Sequence, residues 1–79
     1  MVRTFTLVNA DAGRAKDVLG KLTKIGKNID AEVYALFGEW DFLVIAVSPN
    51  LKSASNKVIA DIQGIDGVSR TRTLVEAEI

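Results

Sequence analysis

Apolar side chains follow two different periods along this chain, and the switches between them mark out its elements. From Val2 to Asn9 (VRTFTLVN) β-branched, aromatic and polar residues alternate, which predicts a strand. Asp11 then stands where a helix N-cap belongs, and Ala12–Ile25 reads as a helix. Its apolar stripe is Ala15, Val18, Leu19, Leu22 and Ile25, with Arg14, Lys16, Lys21 and Lys24 mostly off that stripe and Gly26 as the stop. Ile29–Phe37 (IDAEVYALF) alternates again, with Ile29, Ala31, Val33, Ala35 and Phe37 on one face, and Gly38–Asp41 (GEWD) is the turn that follows. Phe42–Val47 (FLVIAV) is apolar on both faces, as a central strand covered on both sides would be. Asn50 caps a second helix with Leu51, Ala54, Val58, Ile62 and Ile65 along one stripe, and Gly64 and Gly67 bracket its exit. Val68–Ala77 (VSRTRTLVEA) is the last predicted strand.

The order β-α-β-β-α-β predicts an α+β domain of ferredoxin-like architecture, a four-stranded antiparallel sheet with two helices on one face. That arrangement leaves the other face of the sheet without a covering layer. The outward set on the central strand is either Phe42, Val44 and Ala46 or Leu43, Ile45 and Val47, and both sets are apolar. A flat apolar patch of this kind marks an interface. A homodimer packed sheet to sheet through that face is the expectation, and a small domain gains stability by associating.

Composition narrows the chemistry. The chain has 79 residues, enough for one domain, with 48% hydrophobic and 25% charged residues. It contains no Cys and no His. Disulfides, thiolate nucleophiles and Cys-based metal sites are therefore excluded, as are histidine general bases and ligands. The formal net charge is zero, which gives no electrostatic footprint for nucleic acid or an anionic membrane. Locally the charge is uneven. Arg14, Lys16, Lys21, Lys24 and Lys27 meet one acid, Asp17, whereas the next stretch holds Asp30, Glu32, Glu39 and Asp41 and no base. Opposite patches of this sort suit self-assembly at least as well as they suit RNA, and a solvated basic helix is a plainer reading than either. The start of the chain alternates instead of forming an apolar signal segment, and the longest apolar run, Phe42–Val47, is far short of a membrane span. A soluble cytoplasmic protein is expected.

No serine has a histidine or cysteine partner, so no nucleophile–base pair is predicted. Glu39 and Asp41, two apart in a turn, could hold a cation or an ammonium group, or simply be solvated turn residues. Ser69, Thr71 and Thr73 place three hydroxyls on one face of the closing strand, where they suit a small polar ligand or plain β-propensity. The aromatic stacking pattern of the RNA-recognition sheet is absent.

Three segments resemble the effector-binding (RAM) domain of the leucine-responsive regulatory protein (Lrp/AsnC) family. Asp11-Ala12-Gly13-Arg14 is similar to the family's opening of the first helix, with Ala12 where proline is frequent. Val33-Tyr34-Ala35-Leu36-Phe37-Gly38-Glu39-Trp40-Asp41 resembles its strand and Gly-x-x-Asp turn, with Trp40 where tyrosine is usual. Ile65-Asp66-Gly67-Val68-Ser69-Arg70-Thr71-Arg72-Thr73-Leu74-Val75 resembles its closing Gly-Val and Thr-x-Thr signature. The likeness runs from about Val2 to Glu76.

The resemblance implies dimers formed through the sheets, higher homo-oligomers, and an amino acid or related small molecule bound in clefts where protomers meet. Carried over by position, Gly38 would offer backbone groups to that ligand, and Asp41 would pair with its ammonium or fix the turn. Thr71 and Thr73 would contact it from the closing strand, with Glu39 and Trp40 shaping the pocket. Family members also carry a DNA-reading helix-turn-helix, for which this sequence leaves no segment. The expectation over residues 1–79 is thus a single ligand-binding module without cofactor, catalysis or direct DNA contact. Such a module could mix with full-length Lrp/AsnC regulators. The alternatives from other classes are a small dimeric α/β-barrel enzyme and a ligand-free assembly module.

Overall fold

The computed structural model describes residues 1–77 of the chain. Strand β1 (Val2–Ala10) leads into helix α1 (Ala15–Ile29), then β2 (Glu32–Ala35) and β3 (Phe42–Ser48). A second helix, α2, is α-helical over Leu51–Ser53, π-helical over Ala54–Ile59 and α-helical again over Ala60–Gln63. Strand β4 (Val68–Val75) closes the fold. The strands form one antiparallel sheet in the order β2-β3-β1-β4. This is the ferredoxin-like architecture anticipated from the sequence.

The sheet register decides which apolar set turns inward. Thr4 lies opposite Ala46, Thr6 opposite Val44 and Val8 opposite Phe42, so these residues share a face. That face packs on the helices, and Val8, Phe42, Val44 and Ala46 form the core with Val18 and Leu22 of α1 and Val58 and Ile62 of α2. Burying each such side chain contributes about 1.5–3 kcal/mol. Leu43, Ile45 and Val47 therefore point the other way, beside Phe5, Leu7 and Leu74. The shortest dimension of the Cα trace is 16 Å, room for one sheet and one helical layer and nothing over the outer face. Arg3 arches over Phe5 there, 5.0 Å from the ring centroid.

Several boundaries differ from the sequence expectation. Asp11 does not cap α1, which starts at Ala15 with Arg14 in the cap position and no side-chain cap. The Asp11 N–H instead donates to Gly67 O (2.7 Å), and its carbonyl accepts from Arg14 N (2.9 Å), making a turn before the helix. Gly26 does not stop α1 either. It is buried inside the helix, and a Cβ there would meet Ala31 O and Val33 Cγ2 at 3.1 Å. The glycine permits close approach of α1 to β2, and the helix ends only at Asp30, which adopts φ 55°, ψ 43°. That extra turn takes Ile29 out of β2, which shortens to Glu32–Ala35. Asn50 does cap α2, its Oδ1 accepting from Ser53 N at 2.8 Å.

The start of α1 is braced by charge. Arg14 donates to Asp17 (2.7 Å) and Asp66 (3.2 Å), and Lys21 donates to Asp17 (3.4 Å). The Arg14 hydrogen bond, then that of Lys21, holds the Asp17 carboxyl below its ordinary value. A carboxyl lowered by folding adds stability that is present above its unfolded pKa and is lost as pH falls through the folded one. Asp17→Asn is accordingly expected to be less stable than the parent at neutral pH and equal to it in strong acid. Urea melts across the acid range check this, and an equal gap at every pH would refute it.

Candidate functional site

The β2–β3 connection, Leu36–Asp41, is stapled to the end of β1. Leu36 N donates to Asp41 O (2.8 Å), closing the turn on itself, and Asp41 N donates to Val8 O (3.0 Å) and to Asn9 Oδ1 (3.0 Å). The Asp41 carboxylate accepts from Ala10 N at 2.9 Å through Oδ2, and Asn9 Nδ2 donates to Glu39 O at 3.0 Å. Gly38 holds φ +117° in this loop, a conformation that penalises any side chain. Phe37 projects from the tip fully exposed.

These bonds hold Glu39 and Trp40 against the start of β4. The Arg70 guanidinium lies over the Trp40 ring, 4.5 Å from its centroid, and 3.7 Å from Glu39 Oε1. The pairing register slips between Asn9 and Ala10 of β1, where Arg70 and Val68 are the successive partners and Ser69 is the extra residue. Ser69 Oγ donates to Asn9 O (3.2 Å) at this bulge. Bulges cluster beside functional sites because they re-aim neighbouring side chains. The result is a cleft of about 200 Å³ lined by Glu39, Trp40, Arg70, Thr71 and Arg72.

The sequence-predicted residues are thus distributed unevenly. Glu39, Trp40 and Thr71 line the cleft, and Gly38 and Asp41 shape the turn behind it. Thr73 lies elsewhere, its hydroxyl 3.2 Å from that of Thr6. Glu39 and Asp41 do not converge as a cation pair, since one carboxylate turns to Arg70 and the other to β1. Among the described residues no cluster of three acidic, histidine or cysteine side chains could hold a metal. Three contributors were not predicted from sequence as ligand residues: Arg70, Arg72 and Asn9. Arg70 and Arg72 alternate with Thr71 and Thr73 in one short strand, and that alternation was the available signal. Asn9 carried none, because its role is set by the approach of a loop distant in sequence.

Asp41 serves the turn directly. Asp41→Ala removes the acceptor for Ala10 N and is expected to cost about 1–2 kcal/mol of stability, because it takes a charge-assisted bond from the backbone. Thermal melts measure this; an unchanged melting temperature would show that the staple contributes nothing.

The cleft offers two guanidinium groups, one carboxylate, a hydroxyl and an aromatic wall. Such a set can clamp a carboxylate on arginine and receive a cationic group on glutamate. No helix of the described residues is long and apolar enough to cross a membrane.

Known proteins agree with this architecture. TTHA0845 from Thermus thermophilus superposes with a TM-score of 0.82 at 21% identity, covering 100% of this chain and 96% of that one. Escherichia coli AsnC superposes with a TM-score of 0.82 at 21% identity, covering 99% of this chain and 52% of AsnC. The transcriptional regulator NMB0573 of Neisseria meningitidis, solved as a complex with L-Met, gives a TM-score of 0.78 at 20% identity over 98% of this chain and 50% of its own. This chain therefore spans about half the length of those two regulators. No curated protein sequence matches it. The Lrp/AsnC ligand-binding domain family matches residues 5–78, nearly the whole sequence, and the chain belongs to that family.

Proposed function

We propose that this domain is a regulatory sensor that binds a free amino acid, or a close relative of one, in the cleft beside the β2–β3 turn. The observation that carries the reading is the pairing of opposite charges across that cleft, Arg70 and Arg72 against Glu39, with Trp40 as a wall. A zwitterion presents the complementary pair. Its carboxylate takes the place of Glu39 on Arg70, and its ammonium meets the carboxylate so released. Family membership and the L-Met complex of one structural neighbour support the same ligand class. The role is binding, not catalysis, and it is exercised in the cytoplasm.

Assembly belongs to the proposal. The outer sheet face, with Phe5, Leu7, Leu43, Ile45, Val47 and Leu74, packs on the same face of a second copy. Dimers then gather into larger homo-oligomers, in which a ligand shifts the balance toward the assembly it contacts better. Residues 1–79 act as one ligand-binding unit that makes no DNA contact of its own and reaches transcription through Lrp/AsnC-type regulators.

A thermal-denaturation screen against the twenty amino acids, with native mass recorded for each hit, tests this. A ligand at about 100 times its dissociation constant adds about 2.7 kcal/mol, which for a domain of this size raises the melting temperature by several degrees or more. A selective rise is the expected result. No rise with any amino acid, together with no small molecule released on denaturation, would overturn the ligand assignment.

A further inference from the structure

At the end of the sheet opposite the turn cleft, where β3 runs out into Pro49 and Asn50, lies a second cavity of about 150 Å³. Ile29 from the end of α1, Val47 and Ser48 from the end of β3, Pro49 just after it, and Ser53, Lys57 and Val58 from α2 line it. An engineered apolar cavity of about this volume holds benzene, so the space suits a compact molecule.

Three features of its lining bear on what it could hold. First, Ser48 is only 4% exposed, yet its hydroxyl has no hydrogen-bond partner among the described residues. The other two buried hydroxyls of the sheet have theirs: Thr4 Oγ1 donates to Ala46 O, and Thr6 pairs with Thr73. No fully enclosed side-chain polar atom lacks a partner among the described residues. The Ser48 hydroxyl is therefore not sealed off, and at the cavity Ser48 lines a ligand acceptor can take the place of water on it.

Second, the wall contributed by α2 is Lys57 and Val58 of its π-helical part with Ser53, the residue that caps that part. In a segment closed by i→i+5 bonds, residues four and five apart fall on one face, and Ser53, Lys57 and Val58 have that spacing. Such segments are rare and are found repeatedly at functional sites.

Third, the charge is one-sided. Among the described residues Lys57 is the one ionisable side chain in the lining and makes no ion pair, and no carboxylate of theirs lines the cavity. An ammonium group on the ligand would have no counter-charge. The turn cleft, with both signs, suits a zwitterion; this cavity suits an anion with an apolar body.

We propose that this second cavity binds a short branched aliphatic carboxylate without an amino group, an α-oxo acid being the best chemical match. Its carboxylate meets the Lys57 ammonium and the Ser53 hydroxyl. Its oxo oxygen accepts from the Ser48 hydroxyl. Its alkyl group packs on Ile29, Pro49 and Val58. The protein would then carry two sites of different charge preference at opposite ends of one sheet.

An amide-resolved NMR titration of the whole chain with α-ketoisovalerate, run beside L-valine, tests this. Saturable shifts at Ser48, Ser53, Lys57 and Val58 are expected below about 10 mM, a weak affinity fitting so small a ligand. Lys57→Met, at an exposed position whose change leaves the fold intact, is expected to weaken binding about tenfold or more, the loss of a charge-assisted bond. Ser48→Ala is expected to weaken it several-fold, and L-valine to shift these amides far less than the oxo acid does. No saturable shift there, shifts confined to Glu39 and Trp40, equal binding by Lys57→Met, or equal shifts with L-valine would each overturn the proposal. Failure here leaves the amino-acid reading of the turn cleft standing, because none of these residues lines that cleft.

Discussion

Replacing Ile45 with lysine is expected to leave the domain folded and to turn the proposed sheet-to-sheet dimer into monomers. Ile45 sits on β3 with Phe5 of β1 on one side and Glu32 of β2 on the other, on the face turned away from the helices. In a monomer the new ammonium reaches water and lies beside the Glu32 carboxylate, so folding tolerates it. In a sheet-to-sheet dimer the same group is enclosed among Phe5, Leu7, Leu43 and Leu74. Pairing the sheets takes the ammonium and its neighbouring Glu32 carboxylate out of water together, at a net cost of about 3–5 kcal/mol, which weakens association by roughly two to four orders of magnitude. Sedimentation velocity on the parent and variant measures the change, with circular dichroism as the check on folding. Leu43→Lys places the charge one pair further along the same face, opposite Tyr34. A dimer that persisted in both variants would mean that this face is not the interface.

The second large effect is expected at Arg70. Its guanidinium is already held between the Trp40 ring and the Glu39 carboxylate, so a ligand carboxylate meets a group fixed in place before it arrives. Arg70→Met removes the charge while keeping a long apolar stem. A hydrogen bond to a charged group contributes about 1.5–3 kcal/mol, and amino-acid affinity is expected to fall about 10- to 100-fold. Arg70→Lys keeps a point charge but loses the planar fork and is expected to fall between the two. Titration calorimetry with the screened ligand reads both. Parent-like affinity in Arg70→Met would remove this residue from the site. Because Glu39 already lies beside Arg70, binding as proposed would exchange one carboxylate for another. Glu39→Gln is therefore expected to trade a weaker internal competitor against a lost ammonium partner.

The element order was legible because burial on one side imposes alternation on strands and a three-to-four spacing on helices. β3 read correctly as a central strand, its Phe42, Val44 and Ala46 buried beneath the helices. The limits of α1 were not legible, since Asp11 and Gly26 carry strong local cap and stop signals that tertiary contacts override. The Gly67 carbonyl captures Asp11, and β2 needs a glycine at position 26 to come close. Around the site, the turn residues Gly38 to Asp41 stood out as a sequence motif. Their division of labour did not, because it depends on β1. Ala10 N–H claims the Asp41 carboxylate, and Asn9 fixes the Glu39 backbone. Thr71 and Thr73 look equivalent in sequence, yet only Thr71 borders the cleft, while Thr73 pairs with Thr6.

The place of β1 in the sheet has a kinetic consequence. The first strand of the chain lies between β3 and β4, and its early residue Thr4 is matched with Val75 of the last strand. Almost the entire domain must be synthesised before that pairing can form. Until then one edge of β1 offers its N–H and C=O groups to any passing strand. Contacts so distant in sequence close slowly, because the loop entropy is lost before the contact is gained. Chains ending before Val68 therefore expose a ready template for aggregation, and the completed domain is guarded chiefly by the arrival of its final strand.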